Sequence, residues 1–509
     1  MALTRVDMRP GIVMDDSPLA SEGGWIDSDK IRFRQGLPQV IGGWAAVNTD
    51  LFAGKCRGLH AWAAYDAGPR IAVGTHTKLY AAVAGGLYDI TPSGLAAGLE
   101  DSLGTTAGGY GSGTYGSGTY GGVSALTEIF PRTWSFATWG EYLLACPRGQ
   151  TLYQWSLDTG VIAAAVTNAP TNIAAVFVTA ERIVVACGAQ PYGSVTFDPL
   201  LVRWSDQEDN TVWTPTAANQ AGEYPLSHGG RAVRGLPSRK TNLIWTDAAL
   251  YSMTYLGDPV LVYGFELLGQ GCGLIGPNAC AEKDGAAFWM TRGGQFYSWS
   301  GGSPQALVCP VQRYVTDNLN WLQSEKVYCS IDSANNEVLW LYPDSRDGDG
   351  DECSRYVLYN YIENLWSVGS FDRTAWIDAG VLQYPIAADT TGLVYYQEYG
   401  HTANGGAITA FLESAPRDLA DGDQLASILR ILPDVEDLQG GLTITLSGRM
   451  MPAGAEASSG PYTIMSSTEK IDLRLTARQF SVRMDSNSAP SFWRFGAPRF
   501  DIRLTGSKR

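Results

Sequence analysis

Between Glu325 and Phe371 the chain alternates short apolar or aromatic runs with compact polar breaks. Runs at Val327–Ile331, Val338–Tyr342 and Tyr356–Tyr361 are followed by a shorter one at Leu365–Trp366. The breaks at Asp332–Asn336, Pro343–Asp351 and Ile362–Asn364 carry the Asn, Asp, Gly and Pro of tight turns, residues that accept φ > 0 or start a turn. Each run is too short for a helix, and none has apolar residues at i, i+3 and i+4. Four short antiparallel strands in about 45 residues are the size of one β-propeller blade.

The same rhythm recurs along the chain. A first set of four strands is predicted around Gly58–Trp62, Arg70–Gly74, Lys78–Ala82 and Gly86–Thr91. Further sets follow around Trp134–Trp155, Ala175–Ser205, Asn242–Phe265 and Gly285–Val308, with Glu325–Phe371 as the sixth. Residues 376–398 hold strands that complete another sheet. A three-residue element returns as Lys78–Leu79–Tyr80, Thr151–Leu152–Tyr153, Ala249–Leu250–Tyr251, Gln295–Phe296–Tyr297 and Leu393–Val394–Tyr395. Its uneven spacing means that some blades lack it or carry insertions. Repetition favours a radial array, because one blade cannot bury both of its faces alone. A stack of β-sandwiches is the alternative.

The two ends break this rhythm. Residues 1–50 are read as an N-terminal arm that docks on other parts of the fold or on a neighbour, with Lys30–Arg34 as an exposed-edge strand. From about residue 411, segments such as Leu442–Ser447, Lys470–Arg478 and Phe480–Asp485 alternate with period two, one face apolar and the other polar or cationic. The expected fold is therefore all-β: a β-propeller over 51–410, the N-terminal arm, and a C-terminal antiparallel β-sandwich-like or propeller-closing domain over 411–509. Arg474, Arg478, Arg483, Arg494, Arg499 and Arg503 fall mostly on the polar side. They form either a solvated face or a row of ion-pair donors for a neighbouring subunit's acidic surface.

Composition narrows the chemistry. With 36 Lys and Arg against 51 Asp and Glu, the chain carries a net charge of −15, whereas a tight DNA binder needs a basic surface to neutralise phosphates. The eight cysteines are scattered without a C-x-x-C pair, several lie inside strand runs, and reduced buried thiols are expected. No apolar window is long enough for a membrane helix, and the first residues lack the apolar core of a signal peptide. Folding in a cytoplasm is expected.

No catalytic constellation appears: there is no G-x-S-x-G, H-E-x-x-H, phosphate-binding loop or dinucleotide fingerprint. His60, His76, His228 and His401 are dispersed, and Asp89, Asp247 and Glu266 read as ordinary turn or strand-end acids. No catalytic residue, cofactor site or metal site is assigned. Asp347–Glu352 imitates the start of a Ca²⁺ loop, but the sixth and twelfth positions are Glu352 and Leu358 where Gly and Glu are required, so a hairpin loop is expected. The stretch 104–123 is a Gly-rich loop in which Tyr110, Tyr115 and Tyr120 recur every five residues, a surface element or a rim at a partner or channel mouth.

Four features together carry a resemblance. They are the arm from Gly11–Val13 to Gly43–Trp44, the Tyr/Gly loop, Tyr359–Gly369 (YNYIENLWSVG), and Trp493–Asp501 (WRFGAPRFD). The chain resembles the tail nozzle, hub or packaged-DNA stabilisation proteins of short-tailed bacteriophages. That resemblance implies a non-enzymatic virion structural protein, made in the host cytoplasm and placed in the tail. It implies a six-fold homo-oligomeric ring below the portal and the adaptor, or head–tail connector, protein. It also implies contact with tail fibres or spikes, transient contact with the host outer surface, and a lumen that retains genomic DNA and conducts it at ejection without reading its sequence. Such a lumen is expected to be acidic or neutral, so that the polyanion slides. The rival readings are a propeller glycosidase or depolymerase acting on surface polysaccharide, which needs paired carboxylates about 5–10 Å apart, and a monomeric interaction scaffold.

Overall fold

The computed structural model describes residues 3–17, 20–65, 68–106, 127–239, 241–258, 261–419, 424–451 and 454–504. The expected meander at Glu325–Phe371 is there, with strands Tyr328–Asp332, Glu337–Pro343, Cys353–Asn360 and Leu365–Ser370 paired antiparallel in sequence order. Five further sheets repeat this four-strand plan within continuous chain, each with its first strand innermost. Their innermost strands are Cys56–Ala64, Trp134–Trp139, Ala175–Val178, Ala232–Leu236 and Cys280–Lys283.

The seventh sheet is built differently. Ala375–Ile377, Ile386–Ala388 and Val394–Gln397 are followed in the sheet by Trp44–Ala46, a strand from the arm. Inner strands of successive sheets lie side by side from the first to the fourth and from the fifth to the seventh, and that of the seventh lies against that of the first, which closes the ring. Where the fourth and fifth sheets meet, Trp245 stands edge-on to Trp289 at 5.6 Å. The protein is all-β, with a seven-bladed propeller among the described residues.

Inter-blade packing places large aromatic side chains against glycine. Trp134 and Phe136 of the second blade stack at 5.8 Å and press on the first blade at Gly74, where a Cβ would collide with the Trp134 ring. The large side chain on one blade therefore requires a bare backbone on the next. Trp155, Trp245, Trp289 and Trp340 are likewise fully buried.

The rest of the arm leaves the propeller. Leu3–Arg5 pairs with Arg499–Leu504, Trp25–Asp29 with Ile408–Ser414, and Leu37–Val40 with Phe492–Phe495. Three antiparallel sheets of mixed N- and C-terminal strands result, sharing a core that includes Trp25, Ile428, Ile444, Met484, Trp493 and Phe495. Ile31–Arg34 is an edge strand, as expected, but Ile31, Arg32 and Phe33 are buried and Arg34 alone of the four is exposed. The alternation of Lys30–Arg34 reads as solvent-facing because the sequence hides the acids that receive its arginine. A short helix, Gln312–Asn318, and a 3₁₀ turn, Trp321–Lys326, link the fifth and sixth blades without advance signal.

Candidate assembly junction

The arm runs along the outer strand of the sixth blade. Ile12 N–H donates to the Trp366 carbonyl at 2.9 Å, and Ser28 Oγ donates to the Val368 carbonyl at 2.8 Å. Ser370 N–H and Oγ donate to Asp29, and the Glu363 carboxylate accepts from the backbone of Gln35 and Gly36 at 2.7 and 2.9 Å. An outer propeller strand normally leaves a row of unpaired backbone groups; here the arm satisfies several of them and carries the C-terminal sheets with it.

At the centre of this junction sits Arg32. Its guanidinium grips Glu398 through two hydrogen bonds, 2.7 and 2.8 Å, and lies 3.7 Å from Asp332. Glu337 is 3.0 Å from Arg32 Nη2, yet off the line of its N–H bonds, so neither carboxylate oxygen accepts a hydrogen bond. Burial disfavours the charged Arg32, but the fields of Glu337, Glu398 and Asp332 outweigh that cost and hold its pKa above the ordinary value. Three carboxylates around one cation leave excess negative charge in a buried place. Glu337 absorbs it: burial first, then the field of its acidic neighbours against that of Arg32, pushes its pKa up to about 8. A cavity of about 20 Å³ opens beside it, room for one water, walled also by Tyr356 and Trp376. The Tyr356 hydroxyl and the Trp376 indole N–H are buried without partners among the described residues.

A second polar cluster closes the opposite rim of the sixth blade. Arg57 forms a two-bond pair with Glu352 at 2.9 and 2.5 Å, and the buried Lys326 ammonium donates to Asp101 and to the Asp351 carbonyl at 2.5 Å each. Burial would raise the Glu352 pKa, but its bonds to Arg57 and the charge of Lys326 hold it low. Gln323 exchanges two hydrogen bonds with the backbone of Ser102. These contacts fasten the stem Gly104–Thr106 and Thr127–Ile129 to the propeller; the Tyr/Gly loop beyond the stem lies outside the described residues.

The residues singled out from sequence are mostly kept apart. Asp89 pairs with Lys78, Asp247 accepts from Gly230 N–H and pairs with Arg292, and Glu266 is exposed on an outer strand. His60 is half-buried beside Thr138, His76 faces Glu100, His228 meets Tyr251, and His401 packs on Phe492. Asp347–Glu352 forms the hairpin loop between the second and third strands of its blade; Asp347 pairs with Arg355, and Glu352 with Lys326 and Arg57. All eight cysteines are free thiols, with only Cys309 partly exposed. The arginine row divides: Arg483 pairs with Glu413 and Asp485, Arg494 with Glu436, while Arg474, Arg499 and Arg503 are exposed. Arg32, Glu337 and Glu398 escaped sequence reasoning.

No family model matches the chain, and no curated protein is significantly similar to it. Among solved structures, the computationally designed Ika8 protein is similar at 11% identity and TM-score 0.39, covering 76% of this chain and 99% of its own. The WD40 β-propeller domain of Doa1 gives 8% and 0.40 over 70% of this chain and 99% of that one. YCF48 bound to D1 peptide gives 10% and 0.39 over 70% and 97%. Likenesses this remote say nothing of activity, and the propeller rests on its strand order.

Proposed function

We propose that this chain is a structural protein of a short-tailed phage virion, the nozzle at the distal end of the tail tube. Six copies form a ring below the adaptor and portal, the C-terminal sheets act as a sandwich-like platform, and the lumen retains and then conducts genomic DNA.

One observation supports this reading above the others. Three of the four sequence features that carry the resemblance meet at a single place. Gly11–Trp44 lies along Tyr359–Gly369 through Ile12 and Trp366, and it meets Trp493–Asp501 through the pairing of Gln39 with Arg494 and the edge contact of Trp25 with Phe495. Motifs remote in sequence are thus spent on holding two bodies in fixed relation, as an architectural part requires. The exposed Arg474, Arg499 and Arg503 would face a neighbouring subunit, leaving the lumen acidic or neutral.

Size-exclusion chromatography with light scattering tests the ring. Six subunits of 54.8 kDa give 6 × 54.8 ≈ 329 kDa. A species of 54.8 kDa at every concentration and ionic strength, or turnover of a surface polysaccharide, would overturn the proposal.

A further inference from the structure

The axis of the propeller holds an arginine without a partner among the described residues. Arg234, on the inner strand of the fourth blade, makes no hydrogen bond or ion pair among the described residues. Its field reaches His60, Cys146, Cys187, Cys280 and Tyr328, which belong to the first, second, third, fifth and sixth blades. Only a group near the axis stands close to so many blades. The sequence supports the placement at the next position: a Cβ on Gly235 would collide with the Phe177 ring, so the third blade packs flat against this strand.

Arg234 is the shared wall of two cavities. The larger, about 520 Å³, is bordered by Phe136, Thr138, Phe177, Arg182 and His60, with no carboxylate among the described residues that line it. The smaller, about 230 Å³, has two acids, both engaged elsewhere. Glu282 accepts from Ser238 Oγ and Gly285 N–H, and Asp378 accepts from the Ser333 hydroxyl and N–H. At the rim where inner strands begin, Glu325 pairs with Arg148 and Arg231, and both guanidiniums lie over the Phe130 ring, at 4.0 and 4.3 Å. Those groups come from the second, fourth and sixth blades and meet only near the axis. The passage is therefore stopped at that rim and open at the other, where Tyr65 and Arg182 stand.

We propose that this axial funnel is a binding site for a monoanionic carboxylate on a partly apolar body, received from the open rim and held by Arg234. A guanidinium takes a carboxylate through two parallel N–H···O bonds. The volume is within the range of ordinary ligand pockets, and the Phe136 and Phe177 rings receive the apolar part. His60, whose pKa burial and the neighbouring Arg234 push down to about 4, stays neutral and adds no second charge. A single cation in the inner half matches a carboxylate better than a phosphate, which carries about −1.5 to −2. The carboxylate can come from a free small molecule or from an acidic side chain at the tip of a partner's loop. The inference does not depend on the virion reading.

Calorimetric titration of the full chain tests it with three probes: benzoate, inorganic phosphate, and an acidic nonapeptide with blocked termini. Saturable binding of benzoate or of the peptide is expected, weakened at least tenfold by Arg234→Gln and unchanged by Arg239→Gln, which removes an exposed cation paired with Asp284. Benzoate binding marks a small-molecule site, and peptide binding alone marks a partner's loop. Should Arg234→Gln not fold, phenylglyoxal labelling of the wild-type protein replaces it, with benzoate or the peptide expected to protect Arg234. No binding of either carboxylate probe, binding indifferent to Arg234, or equal Arg234-dependent binding of phosphate would overturn the proposal.

Discussion

The sixth and seventh blades are neighbours held together by different means. The sixth is made of one continuous stretch, with strands of five to eight residues. Its interior is aromatic: Trp340 and Trp366 stack at 6.2 Å, with Phe296 of the fifth blade against both. The seventh has strands of three or four residues, the last of them borrowed from the arm. Polar anchors take up what its short ladders lack. Arg32 ties Glu398 to the sixth blade, and the buried Arg373 lies 4.5 Å from the Phe371 ring, 4.6 Å from Tyr395 and 5.4 Å from Trp44. Burial lowers the Arg373 pKa to about 10, and the ring faces offset part of that cost. A blade with enough apolar area specifies itself, whereas a blade that closes a ring depends on groups brought from elsewhere.

Removing residues 1–46 gives the largest expected effect. The seventh blade loses its fourth strand, the C-terminal sheets lose their arm strands, and no cooperative unfolding transition should survive in circular dichroism. A cooperative transition at the wild-type temperature would mean that the arm only decorates the fold. Next in size, Arg32→Ala leaves three acids buried without their cation and should cost about 3–5 kcal/mol in urea denaturation. Hydrogen exchange should then quicken in 386–397 before it does in 338–342. Trp340→Ala, with a similar cost of about 3–5 kcal/mol, should reverse that order.

The pH dependence separates the junction at the sixth blade from the axial passage, where His60 of the first blade stands. Glu337 keeps a proton in the folded chain up to about pH 8, while its ordinary value is 4.5. Its contribution to stability is therefore complete below 4.5 and is lost as pH rises through 8. Glu337→Gln should flatten stability over that interval, and an unchanged slope would show that Glu337 is ionised in place. His60 acts with the opposite sign. Partly desolvated and neutral, it titrates near 4 rather than 6.5, so its contribution is present above 6.5 and lost as pH falls through 4. His60→Gln should remove only that acid limb, the smallest of these effects.

The same contrast explains how much was legible in the sequence. The sixth blade was readable because its turns and strands are local, and Val338–Tyr342 sits within Glu337–Pro343. The closing strand Trp44–Ala46 was not, since its partner Gln397 lies some 350 residues away and nothing near Trp44 encodes that register. Arg32 looked exposed because alternation reports a strand's two faces and not what covers them. Arg234 lies in an ordinary strand, and only the glycine after it hints at a crowded interior.

Electron microscopy of intact particles with the protein labelled at its N-terminus tests the central claim most directly. Six labels are expected around the tail tip, on a ring whose lumen holds DNA density before ejection and none after it. Labels absent from the tail, or a single copy at its end, would contradict it.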